Sequence, residues 1–245
     1  MPASPIPFDP FRGAATAARE ALGMPGLVLL ASYVGFGSLV RQSGLDLPQG
    51  LASTATAWAL PGQVAMVELS AVGASALSIA IAVALTNARL TPMVVTILPL
   101  FRDTGMPRRV TYAVAHFVAV TAWATALRQL PGMPPEERVG WFVGFALTLW
   151  VLSMTGTALG YFLAGAVPAP VTLGLVFLNP LYFMLILIVD LRQRARTLAM
   201  IMGAVLGPIL HLVTPTYGLL LTGVLAGAMA YTTDRVLTRR ESLRG

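Results

Sequence analysis

The sequence lacks cysteine and lysine altogether, and it contains few charged residues of any kind. The absence of cysteine excludes disulfide bonds, thiolate metal sites and a cysteine nucleophile. Charged residues make up only 11% of the 245 residues, hydrophobic residues make up 56%, and the mean hydropathy is +0.77. A soluble domain of this length needs far more charged surface, so the composition predicts an all-α polytopic membrane protein.

The signatures of enzymes and cofactor sites are also missing. The chain has no glycine-rich phosphate loop, no Gly-x-Ser-x-Gly turn and no cluster of metal ligands. His116 and His211 have no second ligand at helical spacing, and we expect both to be buried and hydrogen-bonded. We therefore predict no enzyme activity, no catalytic residue, no metal and no cofactor. The 16 basic residues, all arginine, lie mainly in loops without interleaved aromatic residues, so nucleic acid is not an expected partner.

The apolar segments divide the chain into four regions. Residues 1–23 lack the apolar stretch and cleavage site of a signal peptide, so we expect them to remain as a cytoplasmic lead-in. Residues 24–127 and residues 140–231 are interpreted as two transmembrane repeats, and residues 232–245 as a basic cytoplasmic tail. The predicted membrane segments are Met24 to Val40, Leu51 to Leu69, Ala74 to Leu100, Val110 to Leu127, Gly140 to Gly165, Val171 to Val189, Thr197 to Val213 and Tyr217 to Tyr231.

Two of these segments carry a proline break at matching places in the two halves, at Pro61-Gly62 and at Asn179-Pro180. If all eight segments cross the membrane, the arginine-rich loops around Arg108 and Arg194 fall on opposite faces, against the cytoplasmic bias of basic residues. If the two broken segments enter and return, about six full spans remain, and both loops and both termini are cytoplasmic. Three crossings per half then give an inverted repeat, which is typical of secondary transporters.

Polar side chains are concentrated between Trp58 and Pro99, and we interpret this stretch as half of a transport site. Charged and helix-breaking residues at membrane depth require partners or a water-lined cavity. The candidate proton-coupling carboxylate is Glu68. The candidate substrate-binding residues are Pro61, Gly62, Gln63, Asn87, Arg89 and, from the second break, Asn179.

Each candidate also has a purely structural interpretation. Arg89 either extends its guanidinium to a lipid headgroup or pairs with a carboxylate, that of a substrate or that of Glu68. Glu68 is also suited to the membrane interface at a helix end. Gln63 and Asn179 either satisfy backbone groups left open at the breaks or contact a substrate, together with the N–H groups that follow each proline. Asn87 either contacts the substrate or caps a neighbouring helix.

Several short motifs in this chain resemble the AzlC-type branched-chain amino acid exporters. The resemblance covers the chain from about Met24 to Tyr231. It rests on Met24-Pro25-Gly26, Tyr33-Val34-Gly35-Phe36-Gly37, Leu60-Pro61-Gly62-Gln63, Asn87-Ala88-Arg89, Trp150, Gly156, Gly160, and Leu173-Gly174-Leu175 before Phe177. Two positions depart from the family pattern: Leu90 stands where the family has histidine, and Val176 stands where it has aspartate. These departures remove two polar groups of the family pattern.

The resemblance implies a permease that exports branched-chain or similar small hydrophobic amino acids, usually together with a small AzlD-type membrane subunit. We hypothesise a secondary transporter in a bacterial inner (plasma) membrane, with Met66, Leu85 and Phe177 meeting an apolar side chain. A passive channel, or a transporter for another small organic solute, is the alternative. The sequence leaves a homo-oligomer open.

Overall fold

A computed structural model describes residues 13–166, 168–189, 194–214 and 218–242, and their regular structure is helical. The prediction of an all-α membrane protein is confirmed. Among these residues, three runs are long and apolar enough to cross a bilayer: Met24–Gln42, Ala76–Thr104 and Pro135–Leu163. Ala169–Leu178 and Thr197–Val213 are shorter apolar helical stretches. The chain forms two compact units, residues 1–181 and residues 182–245.

The helices in chain order are α1 Ala14–Ala21, α2 Met24–Gln42, α3 Leu47–Thr56, α4 Leu60–Ala71, α5 Ala76–Asn87, α6 Leu90–Ile97, α7 Arg108–His116, α8 Val120–Gln129, α9 Pro135–Leu163, α10 Ala169–Val189, α11 Arg194–Val213 and α12 Gly218–Ser242. Short 3-10 helices follow α6 (Leu98–Thr104) and α8 (Leu130–Gly132). Helix α1 lies in the predicted lead-in, and its buried residues Ala17 and Ala21 join the core of the first unit.

Glycines bring α2 and α9 into close contact. A β-carbon on Gly160 would collide with the backbone of Val34, and one on Gly156 would lie 2.7 Å from the carbonyl oxygen of Leu30. A β-carbon on Gly37 would collide with the backbone carbonyl of Thr157. Small residues allow helix backbones to approach in this way when a hydrophobic force between helices is weak, as in lipid. The two helices form the continuous framework of the first unit.

The first predicted break is confirmed, although its position shifts. Helix α3 ends at Thr56 and α4 begins at Leu60, so Pro61 lies in the first turn of the second half-helix. Proline is tolerated there because the N–H groups of a first helical turn have no intrahelical partner. The break itself occupies Ala57 to Ala59, immediately before the proline.

The second predicted break is wrong, because α10 runs as a single helix from Ala169 to Val189 through positions 179 and 180. The segment is therefore a helix of 21 residues and not a hairpin that enters and returns. A proline inside a membrane helix is tolerated when neighbouring groups satisfy the backbone that it frees. The side chain of Asn179, a predicted site residue, lies outside the described residues.

The predicted segment Ala74 to Leu100 corresponds to the helical run Ala76–Thr104, in which Ala88 and Arg89 join α5 to α6 with right-handed helical dihedral angles. One further break interrupts a segment that was predicted as a continuous span. The predicted segment Val110 to Leu127 is interrupted at residues 117–119, between α7 and α8. The second unit lacks such interruptions in its described part: α11 and α12 pack against each other, and α11 continues through Pro208.

Candidate functional site

The break between α3 and α4 is held in an unusual backbone conformation. Trp58 has φ 34°, in the left-handed region that residues with a side chain rarely adopt. Its side chain is only 4% exposed, and its indole N–H donates to Ser153 Oγ on α9 at 3.0 Å. Such strain persists only where the surrounding structure imposes it, and it is concentrated at functional sites. The contacts of Trp58 with α9 therefore fix the geometry of the break.

Gln63 joins three helices just beyond the break. Its fully buried side chain accepts a hydrogen bond from the Tyr33 hydroxyl at 2.9 Å. Its amide nitrogen donates to Ser53 Oγ at 3.1 Å and to Thr54 Oγ1 at 3.0 Å. The amide carbonyl and both N–H groups are thereby paired, so α2, α3 and α4 are fixed at one point. Gln63 can reach a substrate only when one of these bonds opens.

The break between α7 and α8 lies against the first break. The rings of Trp58 and Phe117 are 6.1 Å apart, and the Phe117 ring is 6.2 Å from that of Trp150. The carbonyl oxygen of Ala55, near the end of α3, is 3.2 Å from His116 Nε2 and accepts from the Trp150 indole N–H at 3.4 Å. Residues of α7 and α9 thus satisfy a carbonyl that a helix end leaves open.

Both half-helices that follow the breaks begin at this meeting point. The first intrahelical bonds run from the Gln63 N–H to the Ala59 carbonyl and from the Trp123 N–H to the Ala119 carbonyl. The backbone N–H groups that precede Gln63 in α4 and Trp123 in α8 have no intrahelical acceptor, so the start of each helix carries partial positive charge. The sequence analysis missed this arrangement, since residues 117–119 include neither proline nor glycine.

The turn between α5 and α6 brings Asn87 to the start of α4. A β-carbon on Gly62 would collide with the Asn87 side chain, so Gly62 makes room for it. Asn87 Oδ1 is buried and has no hydrogen-bond partner in the described part of the chain. Arg89 is exposed at the turn and forms no ion pair with Glu68 among the described residues. The predicted residues Gly62 and Asn87 are therefore in contact, and Arg89 lies two residues further along.

A separate apolar groove runs between α4 and α10. Its volume is about 680 Å³, and Glu68 is the one charged residue among those that line it. Phe177, expected to meet an apolar side chain, is 58% exposed there. The lining residues are Leu60, Pro61, Val64, Ala65, Glu68, Leu173, Gly174, Val176 and Phe177. Pro61 and Glu68 line this groove, whereas Gln63, Asn87 and Arg89 do not.

Other sequence predictions concern histidine and metal. His116 is hydrogen-bonded but exposed, and His211 is exposed as well, so the prediction that both are buried is wrong. Within the described residues, no group of three or more histidine, cysteine, aspartate or glutamate side chains is placed to hold a metal ion.

Comparison with known proteins gives one match. A family model described as AzlC protein matches residues 26–167, which is more than half of the chain. That range begins within α2 and runs past the end of α9, and so it contains both helix breaks and the part of α9 that contacts them. Neither the curated proteins nor the solved structures give a match.

Proposed function

This chain belongs to the AzlC family of membrane transport proteins, and we propose that it is a secondary transporter exporting branched-chain or similar small hydrophobic amino acids. Transport coupled to an ion gradient is part of the proposal. Two features of the chain support a transporter over an enzyme: its family and the long apolar helices of a multi-pass membrane protein.

The observation that carries the proposal is the meeting of two interrupted helices. The ends of α3 and α7 and the starts of α4 and α8 come together around Trp58 and Phe117. Irregular backbone at membrane depth is tolerated where it is buried in protein or lines a cavity. Transporters use such half-helix starts to bind the anionic group of a substrate and helix ends to bind ions.

Each candidate residue has a proposed role in this arrangement. The first turn of α4, around Pro61 and Gly62, offers N–H groups to the substrate carboxylate, and Arg89 supplies the positive charge. Asn87, with a buried oxygen that lacks a donor, lines the polar end. Gln63 positions α4 through its three hydrogen bonds. Asn179 is the proposed counterpart in the second half, and Glu68 remains the proposed proton-coupling carboxylate.

The setting of the transporter is proposed from the family resemblance and the arginine distribution. We place it in a bacterial plasma membrane with both termini in the cytoplasm, since the basic loops and tail favour that side. A small AzlD-type membrane subunit is the proposed partner, and a small hydrophobic amino acid is the proposed substrate. The inverted repeat remains part of the proposal. It now refers only to the order of the helices in the two halves and no longer includes a second hairpin.

Uptake of labelled leucine or valine into inverted vesicles tests the function. Vesicles that contain this chain, with and without the small subunit, should show saturable uptake that exceeds the rate in empty vesicles. Arg89→Ala should reduce the flux about tenfold, because a charge-assisted contact to the carboxylate is lost. Arg102→Ala is the matched control, since Arg102 is an exposed arginine of the 3-10 helix after α6.

Three results would contradict the proposal. Absence of uptake with and without the subunit would remove the substrate class. Uptake that does not saturate would favour a passive channel. Equal fluxes in the two arginine variants would remove Arg89 from the site.

A further inference from the structure

We propose that the groove between α4 and α10 binds small aliphatic ammonium compounds, with the ammonium group on Glu68 and the alkyl chain along the groove. The groove shares Pro61 and Glu68 with the residues proposed for transport, but Gln63, Asn87 and Arg89 do not line it, and its ligand class differs from a zwitterionic amino acid. The proposal does not depend on amino acid export.

The arrangement of the groove on α4 supports a linear ligand. Pro61, Ala65 and Glu68 recur at helical spacing and line one face of α4. Seven residues of helix separate the first from the last, which corresponds to about 10 Å of rise. The groove therefore has an apolar end near the helix break and a carboxylate at its other end.

Helix α10 supplies the opposite wall without any charge. Leu173, Val176 and Phe177 contribute apolar surface, and Gly174 has no atom within 4 Å of the position of an added β-carbon. The open space at Gly174 widens the groove between Leu173 and Phe177. A volume of about 680 Å³ falls within the range of roughly 300–1,000 Å³ that small-molecule sites occupy.

The charge of the groove selects the ligand. Glu68 is exposed and forms no ion pair within the described residues, so its carboxylate is accessible to a cation that enters the groove. The other lining residues have no charged side chain. A cation pairs with Glu68, whereas a zwitterion would place its own carboxylate in an apolar groove that contains no cation to meet it. An alkylammonium ion is therefore preferred over the amino acid that carries the same side chain.

Equilibrium binding of labelled 3-methylbutylamine to the full chain in phosphatidylcholine nanodiscs tests this site. The headgroup of that lipid has no N–H donor, so it cannot form the hydrogen bond that the amine donates to Glu68. Unlabelled 3-methylbutylamine should displace the label, leucine should displace it at least about tenfold less effectively, and 4-methylpentanoate should not displace it. The three competitors have related branched skeletons and differ in charge.

Two variants, each with a control, locate the binding. Glu68→Gln should weaken amine binding about tenfold or more, because a charge-assisted hydrogen bond is lost. Asp103→Asn should leave binding unchanged, since Asp103 is an exposed carboxylate outside the groove. Gly174→Leu should block the groove, whereas Gly203→Leu, at another helical glycine with open space around it, should not affect binding. Gly174→Leu retains Glu68 and so keeps the test valid if the glutamate variant does not fold.

Several results would overturn the proposal. It fails if the amine does not bind, if 4-methylpentanoate competes as well as the amine, or if folded Glu68→Gln and Gly174→Leu proteins bind it normally. Complete loss of amine binding in phosphatidylethanolamine nanodiscs would identify the groove as a lipid site instead. Leucine flux in vesicles is a separate measurement, so failure of the amine site would leave the proposed export intact, and failure of export would leave the amine site intact.

Discussion

Residues 47–129 and residues 135–242 differ in how their helices are built. The first stretch consists of α-helices of 8 to 12 residues, with breaks between α3 and α4 and between α7 and α8. Helices α9 to α12, by contrast, have 20 to 29 residues each. Proline content does not explain the difference, because α11 continues through Pro208 and the break between α7 and α8 contains no proline. What distinguishes the two breaks that meet is the set of side chains around them. Gln63, His116, Trp58 and Trp150 supply hydrogen bonds at the point where the backbone leaves the helix.

The largest effect is expected when the contact between the continuous helices α2 and α9 is disturbed. Gly160→Leu should destabilise the protein by at least about 3 kcal/mol, because the new side chain enters the space of the Val34 backbone. Fluorescence-detected size-exclusion chromatography with a heating series should show little or no monodisperse protein. Gly203→Leu, at a position with open space, is the matched control. A normal melting profile for Gly160→Leu would show that the contact between α2 and α9 does not support the interrupted helices.

Removal of the hydrogen bonds at the first break should have the next largest effect. Gln63→Leu should destabilise the protein by about 2 kcal/mol, because the buried Tyr33 hydroxyl loses its acceptor on Gln63. Thermal melting in detergent measures the loss. Gln42→Leu is the control, since Gln42 is exposed and donates only to Ser38. Equal melting temperatures for the two variants would mean that the Gln63 network does not stabilise the break.

A smaller effect is expected from the bond that joins the break to α9. Trp58→Phe retains an aromatic ring but removes the donor to Ser153, which should cost about 1 kcal/mol. Ser153→Ala should cost a similar amount, and the double variant should cost less than the sum of the two. Strict additivity of the three melting shifts would exclude a coupling between Trp58 and Ser153.

The smallest effect is expected at the carbonyl oxygen of Ala55, which lies near the first break and contacts His116 beside the second. His116→Phe removes one of the two groups near the Ala55 oxygen and leaves the Trp150 indole, so the cost should be about 0.5 kcal/mol. His211→Phe, at an exposed histidine of α11, should cost less. If His211→Phe were the more damaging of the two, the contact between the breaks would be unimportant for stability.

A feature of the fold could be predicted from the sequence only where a local sequence pattern specifies it. Composition and apolar length identified the membrane class, whereas the contact between α2 and α9 at their glycines was found only in the structure. Pro61 indicated the first half-helix, but Asn179-Pro180 suggested a break where the helix continues. The break at residues 117–119 has no local signal, because it depends on contacts with Trp58 and Trp150 from elsewhere in the chain.

The candidate site was predictable in part for the same reason. Pattern reasoning selected Gly62 and Asn87 separately, as a helix breaker and a polar residue in an apolar run. Their contact follows from the packing of α4 against α5, which no local pattern in the sequence specifies. The wall of the groove on α10 likewise required the three-dimensional structure, which places Gly174 and Glu68 along one groove.

The carbonyl oxygen of Ala55 has groups from α7 and α9 close to it at the same time. A rocking motion that moves α3 relative to either helix must therefore lengthen one of these contacts and leave that oxygen with fewer donors. The amide stretching frequency of an isotope-labelled carbonyl rises when it loses a hydrogen bond. A single labelled alanine at position 55 would thus report such a motion as a change in an infrared band, without a bulky probe on the protein.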